Sequence, residues 1–538
     1  MLTCPRAAIV AALVFAASAH APADRSAQRP SRAALAIEEI TIAQIHEAIR
    51  AKRLTCAGLV DHYLRRIEAY DRQGPAINAI VVINPAARAE AAALDRRFAA
   101  GGPVGPLHCV PAIVKDNFET IGLQSAAGSL ALEGFVSSKD AFQVRKIKDA
   151  GAIVLAKSNM AEWAFTPYET VSSILQGDTK NPYALDRVTA GSSGGTAAAV
   201  AANFGAIGLG SDTGNSIRGP ASHQALAGIR STMGLTSRGG VVPLSSLADI
   251  AGPMTRTVED AARVLQVIVG EDADDPVTMP GTPMDPFRPP GRPSSTPSYT
   301  AALRRDALKG ARIGVLRQAY ERDTTDPEIV KVFTAALDAM RREGAVIVDP
   351  APVALDGIRR GSGAATCAGF KYDINRYLGS HGARVPVKSL ADIIKSRRFH
   401  PTVQRRLEQS QEGSENGPET AACQAEAEYR DQVRKAVIAV MDTLQLTAFA
   451  YPTWSNPPRL IGDLNTPHGD NSQFFSPTTG FPAVQVPMGY TRGGRLPAGL
   501  TFFGRAWDEA TLIGLAYAYE QSTKHRHPPA SAPALRAK

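Results

Sequence analysis

From residue 79 onward the chain alternates short β-branched apolar runs with segments of helical periodicity, and this alternation constrains the fold more than any other feature. Apolar runs at 79–83, 109–114, 152–156 and 206–210 are interleaved with helical patterns at 85–100, 142–150 and 194–202. Short apolar runs between helices read as buried strands, and such alternation predicts an α/β protein whose helices cover a largely buried sheet on both faces. The pattern restarts at 312–316 and 327–342, and ends with strand-like runs at 448–451, 483–487 and 498–503 and an amphipathic helix at 508–523. The segments 41–52 and 55–72 predict a helical pair, with Thr55 as an N-cap and Leu59, Tyr63 and Ile67 on one face of the second helix. Residues 271–298 are aperiodic and rich in Pro, Gly and Asp, which reads as a loop or linker, and the polar, Arg-, Gln- and Glu-rich stretch 357–431 reads as a helical cap. No internal repeat interrupts a single domain spanning 35–528.

The 538 residues, 44% hydrophobic and 20% charged, have the composition of an ordinary soluble globular protein. A net charge of +8 does not make a nucleic-acid groove here, because basic residues are interspersed with acids, as in Arg65-Arg66-Ile67-Glu68. Residues 1–21 join Arg6 to an apolar run, 7–17, that ends in small residues. That is the pattern of a signal peptide cleaved near Ala19 or Ala21, and it predicts a secreted or periplasmic protein. The run is too short to cross a bilayer as a helix of ~20 residues, so no stable membrane association is expected. Cys56, Cys109, Cys367 and Cys423 lack the spacing of a zinc site, so no metal is expected, and an exported chain can oxidise Cys367 with Cys423.

Two serine-bearing glycine loops carry the chemistry: Ala190-Gly-Ser192-Ser193-Gly-Gly-Thr196, and Gly210-Ser-Asp212-Thr-Gly-Asn215-Ser216-Ile-Arg218-Gly-Pro220. Glycines let main-chain N–H groups approach a small ligand closely, which an oxyanion hole requires. A serine needs a base, and Lys115 ends an apolar strand run, where burial supplies the neutral amine that a base must be. Taken alone, each loop also suits a tight turn or a phosphate cradle, and a lysine after a strand also suits a solvated edge. Gly191-Ser192-Ser193-Gly194-Gly195 further satisfies the G-x-S-x-G elbow of α/β-hydrolases, with Ser193 as nucleophile and His468 or His525 as partner. Residues 185–190 make a poor elbow strand, however, and that reading leaves Lys115 and the second loop without a role. Neither loop ends in the Gly-Lys-Ser/Thr of a P-loop, and the chain has no Ser-x-x-Lys. A binding module that kept the serines as turn residues is the non-enzymatic alternative.

Together these residues resemble the amidase signature family, in the Gly-Ser-Ser-Gly-Gly loop, the Gly-Ser-Asp-x-Gly-x-Ser-Ile-Arg loop, the Ser192-to-Ser216 spacing and the Val114-Lys115-Asp116-Asn117 segment. The resemblance covers about 38–265 and returns over about 447–528. It implies the family's α/β fold, no cofactor, and a small-molecule amide substrate. It also implies a triad in which Ser216 attacks the carbonyl, Ser192, after a cis peptide bond, relays the proton and Lys115 is the base. Backbone N–H groups of Thr213, Gly214, Asn215 and Ser216 are implied to form the oxyanion hole. In supporting roles, Ser193 is implied to hydrogen-bond Lys115, and Asp212 and Arg218 to brace the nucleophile loop. Asn215 departs from the glycine that many members carry before the nucleophile; its side chain is expected to narrow or polarise the pocket. Met160, Trp163 and Phe165 follow a strand end and are candidates for an acyl pocket. The run Ala127-Gly-Ser-Leu-Ala-Leu with Glu162-Trp163-Ala164 is similar to bacterial peptide amidases. A C-terminal peptide amide or an aryl or alkyl amide is therefore the expected substrate, with esters and carbamates as the alternative, in a monomer or homodimer.

Overall fold

The computed structural model describes residues 36–281, 297–358, 367, 369–415, 417, 420–473 and 475–535, besides Met1. The chain divides into two units, Met1–Ala36 and Ile37–Lys538, and the fold is that of the second. The expected signal segment lies outside the described residues, as does most of the 271–298 loop.

Thirteen strands occur among the described residues: β1 (Ile80–Ile83), β2 (Pro111–Lys115), β3 (Ile153–Ser158), β4 (Lys180–Asn181), β5 (Ala184–Val188), β6 (Ile207–Asp212), β7 (Ala227–Arg230), β8 (Ile250–Thr255), β9 (Arg312–Val315), β10 (Val346–Val348), β11 (Ala448–Pro452), β12 (Ala483–Thr491) and β13 (Leu496–Phe503). Eleven of them form one mixed sheet in the order β1-β3-β2-β6-β8-β7-β12-β13-β11-β9-β10, and β4 and β5 form a separate antiparallel ribbon. The sheet is covered by helices, as the alternating pattern predicts. Strands β2, β3 and β6 are buried along their whole length, as expected of strands covered on both faces.

One local feature positions the site. Strand β2 pairs in parallel with β3 on one side and β6 on the other, with Lys115 opposite Ser158 and Val114 opposite Leu209. The carboxyl ends of three adjacent parallel strands therefore open at one place, the usual position of a ligand crevice in an α/β sheet.

The N-terminal helical pair is present as Ile42–Arg50 and Cys56–Ile67, and the Thr55 side chain caps the second helix through Gly58 N at 3.0 Å. Arg66 on that helix is fully buried. It donates to the carbonyls of Ala202 and Asn203 and also to those of Ala532 and Pro533, so the packed chain runs past residue 528.

The described part of the 357–431 stretch holds the helices Phe370–His381, Leu390–Ser396, Gln404–Gln411 and the start of Ala421–Thr443. Phe370, Ile374, Leu378, Leu390 and Leu407 pack there against Phe135 and Trp163. A disulfide joins Cys367 to Cys423, with Cα atoms 4.5 Å apart. A second joins Cys56 to Cys109, a pair that spacing alone did not suggest. His108 adjoins that pair and completes a cluster of metal-ligand residue types, but both sulfurs are bonded to each other and His108 Nδ1 accepts from Val104 N at 3.3 Å.

Candidate active site

Lys115 is completely buried at the end of β2. Its Nζ lies 2.8 Å from Ser192 Oγ, 2.9 Å from Ser211 Oγ and 3.4 Å from the Ser211 carbonyl. Burial depresses its pKa to about 7, with the negative charges of Asp249 and Asp212 opposing the shift. At neutral pH a substantial fraction of this lysine is therefore the neutral amine.

Ser192 and Ser193 lie in the turn before the helix Gly194–Ala201, and the Gly191–Ser192 peptide bond is cis. Close packing dictates the glycines around them. A Cβ on Gly191 would collide with the carbonyls of Glu169 and Thr166, and one on Gly195 would fall on the Asn159 main chain. The turn is thus wedged against the loop that leaves β3, and Ser193 N reaches the Ser216 carbonyl at 3.3 Å.

Ser216 follows the loop that leaves β6 and precedes the helix Arg218–His223. Among the described residues its hydroxyl makes no hydrogen bond. The N–H groups of Thr213, Gly214, Asn215 and Ser216 likewise donate to no protein acceptor among those residues. All four residues line one cavity of about 390 Å³, so Ser216 and the residues that carry these free main-chain donors share one polar hollow.

The loop is braced from behind by buried charge. Asp212 Oδ2 accepts from Arg218 Nε at 3.1 Å, and its Oδ1 accepts from Arg230 Nη1 at 3.1 Å. Burial alone would raise the Asp212 pKa, but the Arg218 and Arg230 guanidinium groups and their hydrogen bonds outweigh it and hold the carboxyl at about 2. Arg218 also donates to the Gly214 carbonyl at 2.6 Å, so the ion pair grips the Ser216 loop directly.

Several expected roles change. Ser193 does not bond Lys115; its hydroxyl donates to the Ser211 carbonyl at 3.1 Å, because the helix start turns it toward β6. The second hydroxyl on Lys115 belongs to Ser211, which Asn117 Nδ2 also contacts at 3.0 Å. Ser211 lies within the second loop's motif, and its place at a strand end next to Asp212 was the available signal. Arg230 carried no signal, since only the pairing of β7 brings it to Asp212.

The pocket expectation is corrected in two of its three residues. Phe165 lines the cavity, but Met160 and Trp163 are buried in the cap core. Trp163 and Ala164 adopt left-handed backbone, φ 55° and 58°, and this tight turn sends the indole into the core. The Asn215 amide is buried against Gly219, whose position leaves no space for a Cβ, and neither of its polar atoms has a partner among the described residues.

Residues 184–188, which overlap the 185–190 stretch read as a poor strand, do form a strand, β5, but it belongs to the small ribbon and not to the main sheet that an elbow requires. The proposed histidine partners lie elsewhere: His468 stacks on Tyr168 and His525 contacts Tyr519.

Comparison with known proteins agrees with this geometry. Residues 58–513 match the Amidase family. A probable amidase of Arabidopsis thaliana is 33% identical over 506 residues, covering 92% of each chain. A glutamyl-tRNA(Gln) amidotransferase component from a Roseiflexus species is 34% identical over 505 residues, covering 90% of this chain and 97% of its own. Among solved structures, the native peptide amidase of Stenotrophomonas maltophilia superposes with a TM-score of 0.79 at 36% identity, covering 91% of this chain and 98% of its own. The chain belongs to the amidase signature family. It is an enzyme that hydrolyses carboxylic amides. No helix among the described residues is long and apolar enough to cross a membrane.

Proposed function

We propose that the protein is a secreted amidase that cleaves C-terminal peptide amides, or aryl and alkyl amides, through an acyl-enzyme on Ser216. The observation that carries this reading is the buried Lys115 amine, near neutral pKa, 2.8 Å from Ser192 Oγ. Lys115 takes the Ser192 proton as Ser192 takes the proton of Ser216, and the Ser216 oxygen adds to the carbonyl carbon. The oxyanion forms against the free N–H groups of Thr213 to Ser216, where each donor contributes roughly 3–4 kcal/mol to the transition state. The lysine proton returns through Ser192 to the leaving nitrogen, the C–N bond breaks, and an ester on Ser216 remains. Water, deprotonated by the same relay, hydrolyses that ester and releases the carboxylate. In the substrate-free site the Ser216 hydroxyl is unpaired, and the link to Ser192 is expected to close when substrate fills the cavity.

Export rests on the signal-like pattern of residues 1–21, which favours scavenging of amides over a role in charging transfer RNA. The likeness to a peptide amidase supports a peptide amide as substrate.

Peptide mapping after reaction with a fluorophosphonate tests the nucleophile. A single adduct on Ser216, absent in Ser216→Ala, is the expected result; an adduct on Ser193 would return the elbow reading to the front. Rapid turnover of an ester panel with no turnover of peptide amides or anilides would overturn the substrate assignment.

A further inference from the structure

The cap supplies the charged wall of the Ser216 cavity through Arg406, Glu426 and Arg430. Glu426 and Arg430 lie one helical turn apart, with Oε1 and Nη1 separated by 3.7 Å, so their charges largely cancel. Arg406, on the helix Gln404–Gln411, is different. Among the described residues no carboxylate lies within ion-pairing distance of it. Its Nη1 donates to the Phe165 carbonyl, and its guanidinium carbon sits 4.7 Å from the centroid of the Phe165 ring. Phe165 is itself buried and locked edge-on against Phe370, with ring centroids 4.7 Å apart. The guanidinium is therefore held in a fixed pose on a rigid aromatic platform.

An arginine has five N–H donors, and only one nitrogen of Arg406 has a protein acceptor among the described residues. A planar, pre-positioned fork with unused donors suits a carboxylate better than any neutral group, because the charge and the bidentate geometry act together. If the leaving group is ammonia or a small amine, most of the cavity is left to the acyl part of the substrate. We propose that Arg406 is a specificity-determining residue that selects acyl groups bearing a carboxylate, so that amides of acidic residues are preferred to those of neutral or basic ones. The proposal rests on the peptide-amide reading above and deepens it.

The test is kcat/KM for the α-amides of N-acetylglutamate, N-acetylmethionine and N-acetyllysine. The protein's +8 net charge favours any anion, so wild type is compared with Arg406→Gln and Arg406→Glu, each checked for wild-type cooperative unfolding by circular dichroism. Wild type is expected to prefer glutamate over methionine by about fivefold, a modest ratio because Arg406 is an exposed residue. Arg406→Gln is expected to bring the ratio near one, and Arg406→Glu to reverse the order of the glutamate and lysine amides. An unchanged ratio in Arg406→Gln overturns the proposal. If none of the amides turns over, the peptide-amide reading fails. Calorimetric binding of the same three compounds to Ser216→Ala still decides the question, and equal affinities overturn the role of Arg406.

Discussion

The strand ends that hold Lys115, Ser192 and Ser216 and the cap helices that wall the cavity are built on different principles. At the strand ends, position is set by main chain and by fully buried charge. Parallel pairing places Lys115 beside Ser158, a glycine wedge fixes the Ser192 turn, and Asp212 with two arginines clamps the second loop. At the cap, position is set by side chains on surface helices: Arg406 rests on Phe165, and Glu426 pairs with Arg430. The first arrangement tolerates almost no substitution, whereas the second can be rewritten residue by residue. The chemistry is therefore expected to be rigid and the choice of substrate adjustable.

The sharpest way to break this contrast is to remove the base while keeping its volume. Lys115→Met is expected to lower kcat by at least about 10³-fold, since it removes general-base activation of the nucleophile. Melting of this variant should be unchanged or shifted upward, because the native state no longer buries an ionisable amine. Coincident loss of activity and of cooperative unfolding would show that Lys115 is structural.

A smaller change tests the wedge. Gly195→Ala drives a methyl group into the Asn159 main chain, and such overpacking is expected to cost about 1–3 kcal/mol in chemical denaturation. Labelling of Ser216 should slow in the same variant, as Ser192 is displaced. Wild-type stability and labelling would mean that the turn is not held as described.

The pH dependence comes next. Lys115 must be neutral to act as base, so kcat/KM should rise about tenfold per pH unit below about 7 and level off above it. Raising pH increases the neutral fraction of the amine, and because burial lowers its pKa that rise falls near neutral pH instead of in the alkaline range. A profile already flat from pH 5 would exclude a lysine base.

The smallest catalytic effect should come from the cap. Cys423→Ala opens the disulfide to Cys367, which lines the cavity, and KM is expected to rise a few-fold while Ser216 labelling stays intact. Stability should fall by about 4 kcal/mol, the entropy of closing a loop of this separation, 56 residues.

The same contrast explains what the sequence made legible. Eight of the eleven strands of the main sheet could be read because burial imposes periodicity, whereas β7, β8 and β10 were missed; Lys115, Ser192 and Ser216 could be read because they lie inside short motifs. Arg230 was invisible, since only the pairing of β7 carries it to Asp212. Trp163 and Met160 misled because adjacency to a strand end does not say which way the next turn will aim a side chain. Residues 184–188 look like a weak strand because they join only a two-stranded ribbon with little apolar surface to bury. The cap was readable as helical from composition, but its charged wall depends on contacts between helices that no local pattern encodes.

The buried Arg66 guanidinium takes two of its carbonyl partners from residues 202–203 and two from residues 532–533. During synthesis the first helical pair and the serine-bearing segment emerge hundreds of residues before residues 532–533. Until residues 532–533 are made, this cation lacks half of its carbonyl partners. Docking of the first helical pair is thus coupled to the synthesis of residues 532–533, and a nascent chain stalled near residue 525 should remain protease-sensitive around its first helices.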